Sequence, residues 1–386
     1  MKRIISVLLA ILLAVLPCMG LAQSETPGLT LIALNVGKAD CLLLMDGTYC
    51  YMIDTARKKH YGDISAALKA LGITRLDGII ITHGDSDHVG GLNGLTCGNV
   101  IVEGWYASPM TVDGNPEKHP LVKALKYTDA QVQWLSAGDE LPLARGTLRV
   151  LGPIRQASDK EDNNSLVLLA DTADGTMLLC GDMEFPEEET LMAAGVIPKV
   201  DVLKVGNHAD NDTCSDALIS LTAPKVAVIS TSSAEKEDTP NKRILKSLKN
   251  AGARIAITQS AVRGVKVLLQ NGEAEIVSMG EYDMPPVKSG VHITDKSAAQ
   301  DTVSVTNHGG EAIDLSGWFI YSGTGGEVFV FPEGTQIQPG QELTISALDS
   351  GSEGHFVWQD TKVWNKKKPD TAYLFDDWGR LLSKLE

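Results

Sequence analysis

Gly78-Ile79-Ile80-Ile81-Thr82 runs directly into His83-Gly84-Asp85-Ser86-Asp87-His88-Val89-Gly90-Gly91. Three consecutive isoleucines between turn-forming neighbours read as a short buried strand. The loop that follows carries four metal-ligand side chains, His83, Asp85, Asp87 and His88, within six positions. A tight turn can send alternate side chains toward two adjacent ions, and the glycines let the backbone bend closely around them. A merely solvated acidic loop would need neither two histidines at these offsets nor a near-continuous isoleucine strand before it.

Two later stretches end an apolar strand in the same way: Leu178-Leu179-Cys180-Gly181-Asp182 and Leu203-Lys204-Val205-Gly206-Asn207-His208. Alone, an aspartate after a strand is an ordinary turn residue and a single histidine an ordinary core or surface residue. Together with the first loop they gain meaning, because loops at one edge of an α/β sheet converge on one site.

Outward from these segments the chain alternates. Short apolar strands are expected at Leu29 to Asn35, Cys41 to Met45 and Tyr49 to Ile53, the last two joined by an Asp46-Gly47 turn. Asp63 is placed to cap a helix carrying Ile64, Leu68 and Leu71, with Gly72 as its stop. Further strands are expected at Val100 to Trp105, Thr147 to Leu151, Ser165 to Ala170, Met177 to Cys180, Val200 to Val205, Val226 to Ser230 and Arg254 to Thr258, with a helix from about Asn241 to Ala251. Antiparallel and α/β elements are mixed, which suits a layered α/β sandwich. From Pro285-Pro286 onward helical periodicity is absent, and turns such as Pro332-Glu333-Gly334 and Pro339-Gly340 separate short strands, the pattern of a small all-β sandwich. The expected division is 1–22 leader, 29–280 α/β sandwich domain, 281–291 linker and 292–386 β-sandwich.

At 386 residues, with 43% hydrophobic and 22% charged, the chain is long enough for two cores. Lys2 and Arg3, the apolar run Ile4 to Leu16 and the small residues ending at Ala22 read as a secretory signal cleaved before Gln23. The protein is therefore expected outside the cytoplasm, secreted or extracytoplasmic, without a stable membrane span after cleavage. Pro17 before Cys18 argues against a lipidated cysteine. Losing Lys2 and Arg3 leaves 32 basic against 49 acidic residues, a formal charge of −17. Such a charge disfavours broad attraction to nucleic acid, so a polyanionic substrate would have to be held locally, by metal. Five cysteines remain, none with zinc-site spacing; Cys41 and Cys50 flank the Asp46-Gly47 turn and could meet across it.

In order and spacing these motifs resemble the metallo-β-lactamase fold, an αββα sandwich, as it occurs in the hydrolase domain of the competence DNA-uptake (ComEC-type) family. The resemblance runs from about Leu29 to Ser278. It rests on Asn35-Val36-Gly37-Lys38-Ala39-Asp40, Ile53-Asp54-Thr55, His83 to His88, Asn163-Asn164-Ser165-Leu166-Val167, Gly181-Asp182 and Lys204 to His208. It implies two divalent metal ions, Zn²⁺ or Mn²⁺. Asp182 would bridge them, with Asp87, His88 and His208 completing one site and His83 with Asp85 the other. Asp87 would also accept a proton from the attacking water. The superfamily's third histidine for the first metal has no counterpart; His119, on a Glu-Lys-His-Pro loop, is not assigned, and Asn164 or water would fill the place. The chain departs further where Asn207-His208-Ala209-Asp210 replaces His-His-Gly-Ser, where Asp238-Thr239-Pro240 replaces Gly-His-Pro, and at Asn35.

Asp85 in place of a softer histidine favours Mn²⁺ or Mg²⁺ at the first site and, with it, phosphodiester substrates. The reading is an exported phosphodiesterase or nuclease acting on short single-stranded nucleic acid or nucleotides. Two alternatives stand beside it: a metallohydrolase of another ester or amide class, and a binding module with a degenerate metal site. The C-terminal residues resemble the lamin-tail domain, an immunoglobulin-like all-β sandwich, through Ile313-Asp314-Leu315-Ser316-Gly317-Trp318, Phe331-Pro332-Glu333-Gly334-Thr335 and Leu374-Phe375-Asp376-Asp377-Trp378-Gly379. Trp318, Trp364 and Trp378 are expected to pack its core or rim, and Lys366-Lys367-Lys368 to be solvated. The domain would attach the enzyme to a surface or polymer.

Overall fold

A computed structural model describes residues 28–157 and 159–386. The expected leader at 1–22, with Cys18, lies outside the described residues.

Period-two patterning explains the central layers. In Leu29–Leu34 and Leu42–Asp46, the side chains of Leu29, Leu31, Ala33, Leu42 and Leu44 face one core, while Ile32, Leu34 and Leu43 face another. Strands buried on both faces form two stacked sheets. The first runs, in spatial order, Glu273–Met279, Gly264–Gln270, Leu29–Leu34, Leu42–Asp46, Tyr49–Ile53, Gly78–Ile81, Trp105–Ala107, Val132–Trp134. The second runs Arg254–Ile257, Val226–Ile229, Val202–Lys204, Gly175–Leu179, Val167–Thr172, Gly146–Gly152, Glu140–Pro142. Between them lies one apolar layer that includes Tyr51, Ile80, Leu148, Leu168, Leu179 and Val228. The helix Tyr61–Ala70 covers the outer face of the first sheet, and Asp216–Thr222 with Lys242–Asn250 covers the second. This is the αββα sandwich.

The structure corrects several details. The first helix begins at Tyr61 rather than after Asp63; Asp63 sits in its first turn, paired with His60 Nδ1 at 2.8 Å, and caps nothing. Cys41 and Cys50 are free, because the register sets Cys50 opposite Met45 and leaves Cys41 outside the strand. The strand expected at Val100 to Trp105 is two pieces, Ile101–Val102 and Trp105–Ala107.

Strands of the first unit end at Met279, and the next strand begins at Val291. The C-terminal unit pairs the sheet Val291–Ser297, Thr302–Asn307, Glu342–Ala347, Phe356–Trp358 with Val328–Val330, Phe319–Ser322, Ala372–Phe375, Leu381–Leu385. Trp318 and Trp364 are core residues, whereas Trp378 is half-buried beneath the Lys69 ammonium. The two units are packed together. Phe319, Val328 and Val330 share an apolar cluster with Tyr61, Ile64 and Leu95, and Lys58 Nζ donates to the Gly325 carbonyl. No helix among the described residues is long and apolar enough to cross a membrane.

Candidate metal centre

Parallel strands place the site. Tyr49–Ile53 pairs in parallel with Gly78–Ile81, and Gly175–Leu179 with Val202–Lys204, so Asp54, His83, Asp182 and His208 all emerge at the same edge of the sandwich. The backbone there is bent against its preferences. Asp54 and Ala56 take φ of 60° and 53°, and Asn207, His208 and Ala209 take 37°, 51° and 62° in succession. Left-handed conformations of this kind cost free energy in non-glycine residues and are found where a site needs them.

Hydrogen bonds orient the imidazoles. Asp54 accepts from the Thr82 amide and hydroxyl, each at 2.8 Å, and from His88 Nδ1 at 2.8 Å. The Thr82 hydroxyl, already donating to Asp54, is left to accept from His83 Nδ1 at 3.1 Å. His208 Nδ1 donates to the Ser230 carbonyl at 2.9 Å. In each ring Nδ1 is thus engaged, which leaves Nε2 to face the site.

What those Nε2 atoms face is the decisive geometry. Asp182 Oδ2 stands 3.2 Å from His88 Nε2 and 3.2 Å from His208 Nε2. Asp87 Oδ2 is 3.9 Å from His208 Nε2, and Asp85 Oδ2 is 4.0 Å from His83 Nε2. All six residues named from the sequence therefore gather at one place. Ligand atoms of His83, His88 and Asp182, and of Asp87, His88 and His208, lie within 4.8 Å of one another. Among the described residues, the Nε2 atoms of His83, His88 and His208 and Oδ1 of Asp182 are buried without a hydrogen-bond partner. Buried polar atoms normally find partners, and four orphans at one point are what a cation-binding cluster leaves when seen without its ion. The residues fit divalent metal.

Electrostatics tie the groups together: burial would lower His88, but Asp182 and Asp54 beside it hold it well above the ordinary imidazole range. Burial, reinforced by the neighbouring His88 ring, pushes His83 down to about 3, so it is a neutral donor. Burial would raise the Asp182 carboxyl, but His208 and His88 hold it well below the usual carboxylate range. Asp87 is likewise lowered: burial opposes ionisation, and His88 and His208 outweigh it.

Other groups surround these six, and two of them, Arg57 and Asp162, stand outside the sequence motifs. Arg57 Nη2 donates to Asp87 Oδ2 at 2.9 Å and to the Lys38 carbonyl at 3.1 Å. Lys204 is buried, with Nζ 2.7 Å from Asp40 Oδ2. Asp162 Oδ1 is 3.8 Å from His83 Nε2. Asn164 does not fill the place proposed for it: its side chain accepts from the Ala157 amide at 2.8 Å and donates to the Ala157 carbonyl at 3.2 Å. His119 caps the helix Pro120–Ala124, accepting from the Leu121 amide, and lines a cavity of about 290 Å³ beside Asp85. Thr239, where the resembled family has a histidine, accepts from the Thr231 hydroxyl and is buried.

Comparison with known proteins identifies the two parts of the chain. The metallo-beta-lactamase superfamily model matches residues 34–233, and the Lamin Tail Domain model matches residues 285–386. ComE operon protein 3 of Bacillus subtilis is 28% identical over 218 residues, 55% of this chain and 28% of that protein. Competence protein ComA of Neisseria gonorrhoeae is 26% identical over 196 residues, 50% of this chain and 26% of that protein. The chain thus spans little more than a quarter of the length of these relatives. Among solved structures, a metal-dependent hydrolase of the beta-lactamase superfamily aligns with 63% of this chain and 99% of its own at 13% identity and a TM-score of 0.42. A diphosphatase from the PhnP family aligns with 62% of this chain and 99% of its own at 16% identity and a TM-score of 0.40. By its sandwich fold and the family match over more than half its length, the chain belongs to the metallo-beta-lactamase superfamily, and a lamin tail domain follows its hydrolase domain.

Proposed function

We propose that this protein is an exported, metal-dependent phosphodiesterase or nuclease with a two-metal centre held by His83, Asp85, Asp87, His88, Asp182 and His208. The observation that carries the reading is the convergence of three unpartnered imidazole nitrogens on the Asp182 carboxylate, with oxygen donors on both flanks. Bound there, two divalent cations would supply Lewis acidity toward a phosphoryl oxygen and a more acidic water at neutral pH.

The chain's own groups do the rest. Asp54, Thr82 and the Ser230 carbonyl engage Nδ1 of the three rings, so that Nε2 of each histidine is the nitrogen that would bind metal. Asp87 is kept ionised beside the site and takes a proton from the attacking water, while Arg57 holds its Oδ2 and orients it. Asp85 in place of a softer histidine favours Mn²⁺ over Zn²⁺ at the first site and, with it, a phosphodiester over a lactam. Likeness to competence proteins supports nucleic acid as the substrate class, and the acidic balance of the chain favours short single strands or nucleotides over long duplex. Export rests on residues 1–22 and cleavage after Ala22. The lamin tail domain would hold the enzyme to a surface or polymer.

The test is hydrolysis of a labelled single-stranded DNA and a generic phosphodiester by the full chain with Mn²⁺, Zn²⁺ or EDTA, beside Asp87→Ala. Metal-dependent cleavage that falls at least about a hundredfold in the variant is expected. Bound metal without cleavage would move the assignment to another ester or amide hydrolase, and no bound metal would make the unit a binding module.

A further inference from the structure

We propose that Asp162 is a ligand of the first metal, completing a hard site with His83 and Asp85 where the superfamily would use another histidine. This half of the centre then selects Mn²⁺ or Mg²⁺ over Zn²⁺. The proposal rests on the two-metal reading above and adds a donor to it.

Three observations carry it. The first is geometric: His83 Nε2 lies 3.8 Å from Asp162 Oδ1 and 4.0 Å from Asp85 Oδ2, and ligand atoms of the three residues lie within 4.8 Å of one another. A first-row divalent ion with bonds of about 2.1 Å keeps its donors roughly 3–3.5 Å apart. Closing this triangle therefore takes only small side-chain movements, and the half-exposed Asp85 carboxylate has room to make them.

The second is the state of His83. The Thr82 hydroxyl donates its hydrogen bond to Asp54 and can only accept from His83, so Nδ1 carries the proton of the neutral ring and Nε2 its lone pair. That nitrogen is fully buried, without a hydrogen-bond partner among the described residues, and the carboxylates of Asp85 and Asp162 stand around it.

The third is that Asp162 is held where it stands. It opens the short turn Asp162–Asn164, whose backbone closes from the Ser165 amide to the Asp162 carbonyl at 3.1 Å. Asn163 anchors the turn to Glu184 Oε2 at 3.1 Å, and Asn164 anchors it to Ala157 on the other side. The Asp85 carboxylate makes no capping bond to the helix Ser86–Val89 that it precedes, so it too is available. One imidazole with two carboxylates is a hard donor set, the chemistry that suits Mn²⁺ and Mg²⁺.

The experiment strips the full chain of metal and titrates it with Mn²⁺, reading free Mn²⁺ by electron paramagnetic resonance, then repeats the titration with competing Zn²⁺. Wild type is compared with Asp162→Asn, which keeps the shape and loses the charge, and with Asp162→His. Expected are two Mn²⁺ per chain for wild type, and for Asp162→Asn one of them weakened at least about tenfold with the other within about twofold. Asp162→His should move the weakened site about tenfold toward Zn²⁺ relative to Mn²⁺. Two ions bound by wild type and by Asp162→Asn with equal affinity would overturn the role of Asp162 while leaving the two-metal reading intact. Fewer than two ions on wild type would overturn both.

Discussion

Asp54 Oδ2 accepts a hydrogen bond from His88 Nδ1 at 2.8 Å while Oδ1 of the same carboxylate accepts from the Thr82 amide, so one buried side chain ties the end of one strand to the metal loop after the next. The consequence is tautomeric: His88 must present Nε2 to Asp182. Asp54 also sits at φ 60°, a conformation that asparagine tolerates better than alanine. Asp54→Asn should therefore keep the backbone and lose the control of His88, lowering Mn²⁺ affinity about 10–100-fold. Equilibrium dialysis with metal analysis measures this, and an unchanged affinity would remove His88 from the ligand set.

A second buried pair lies just behind the site. Lys204 Nζ and Asp40 Oδ2 are 2.7 Å apart and almost wholly inaccessible. Burial works against both charges, and each keeps the other ionised, with His208 helping to lower Asp40. Lys204→Met would strand an uncompensated carboxylate and should cost about 3–5 kcal/mol. Adding Asp40→Asn should recover part of that loss. Urea unfolding of the two single variants and the double variant decides it: strictly additive losses would mean that the two charges do not support each other.

The proposed ligands were legible because they lie in the loop and short helix that follow the apolar strand Gly78–Ile81, or just past the ends of Gly175–Leu179 and Val202–Lys204, and parallel pairing brings those strand ends to one edge. Asp162 and Arg57 were not legible, since each reaches the site by a side-chain direction that no spacing encodes; only their positions next to Asn163 and two residues after Thr55 hint at them. The C-terminal hairpin of the first sheet, Gly264–Gln270 with Glu273–Met279, did carry a signal. Asn271-Gly272, both at positive φ, is the turn dipeptide such a hairpin prefers. The helix start at Tyr61 was hidden for another reason: Tyr61 is anchored against Phe319, more than two hundred residues away, and a long-range contact overrides a local capping signal.

That contact predicts how the two units behave together. Phe319 is buried with the Tyr61 ring edge-on at 4.9 Å and the Phe375 ring stacked at 4.8 Å. Phe319→Ala should cost about 3–5 kcal/mol and loosen docking of the C-terminal sandwich on the helix Tyr61–Ala70. Limited proteolysis should then cut faster within residues 280–290, which join the two units. Equal cleavage rates in wild type and variant would show that the interface does not depend on this ring.

Glu187 makes the last prediction, away from the site. It is 2% exposed on the helix Phe185–Ala193, and its Oε1 accepts only a long bond from the Ile154 amide at 3.3 Å. Burial pushes its carboxyl up to about 7, against an ordinary value of 4.5, with the Ile154 amide and Arg155 pulling weakly the other way. A carboxyl raised in the folded state favours folding while protonated, and that contribution disappears as pH rises from 4.5 through about 7. Glu187→Gln keeps an acceptor for Ile154 and cannot ionise. It should therefore stabilise the protein by about 1–3 kcal/mol at pH 8, by much less at pH 5, and not at all below 4.5. Urea midpoints of wild type and variant at pH 5 and pH 8 give the answer: a difference that does not change with pH would show that Glu187 is ionised in the fold at both, and that burial does not hold its proton.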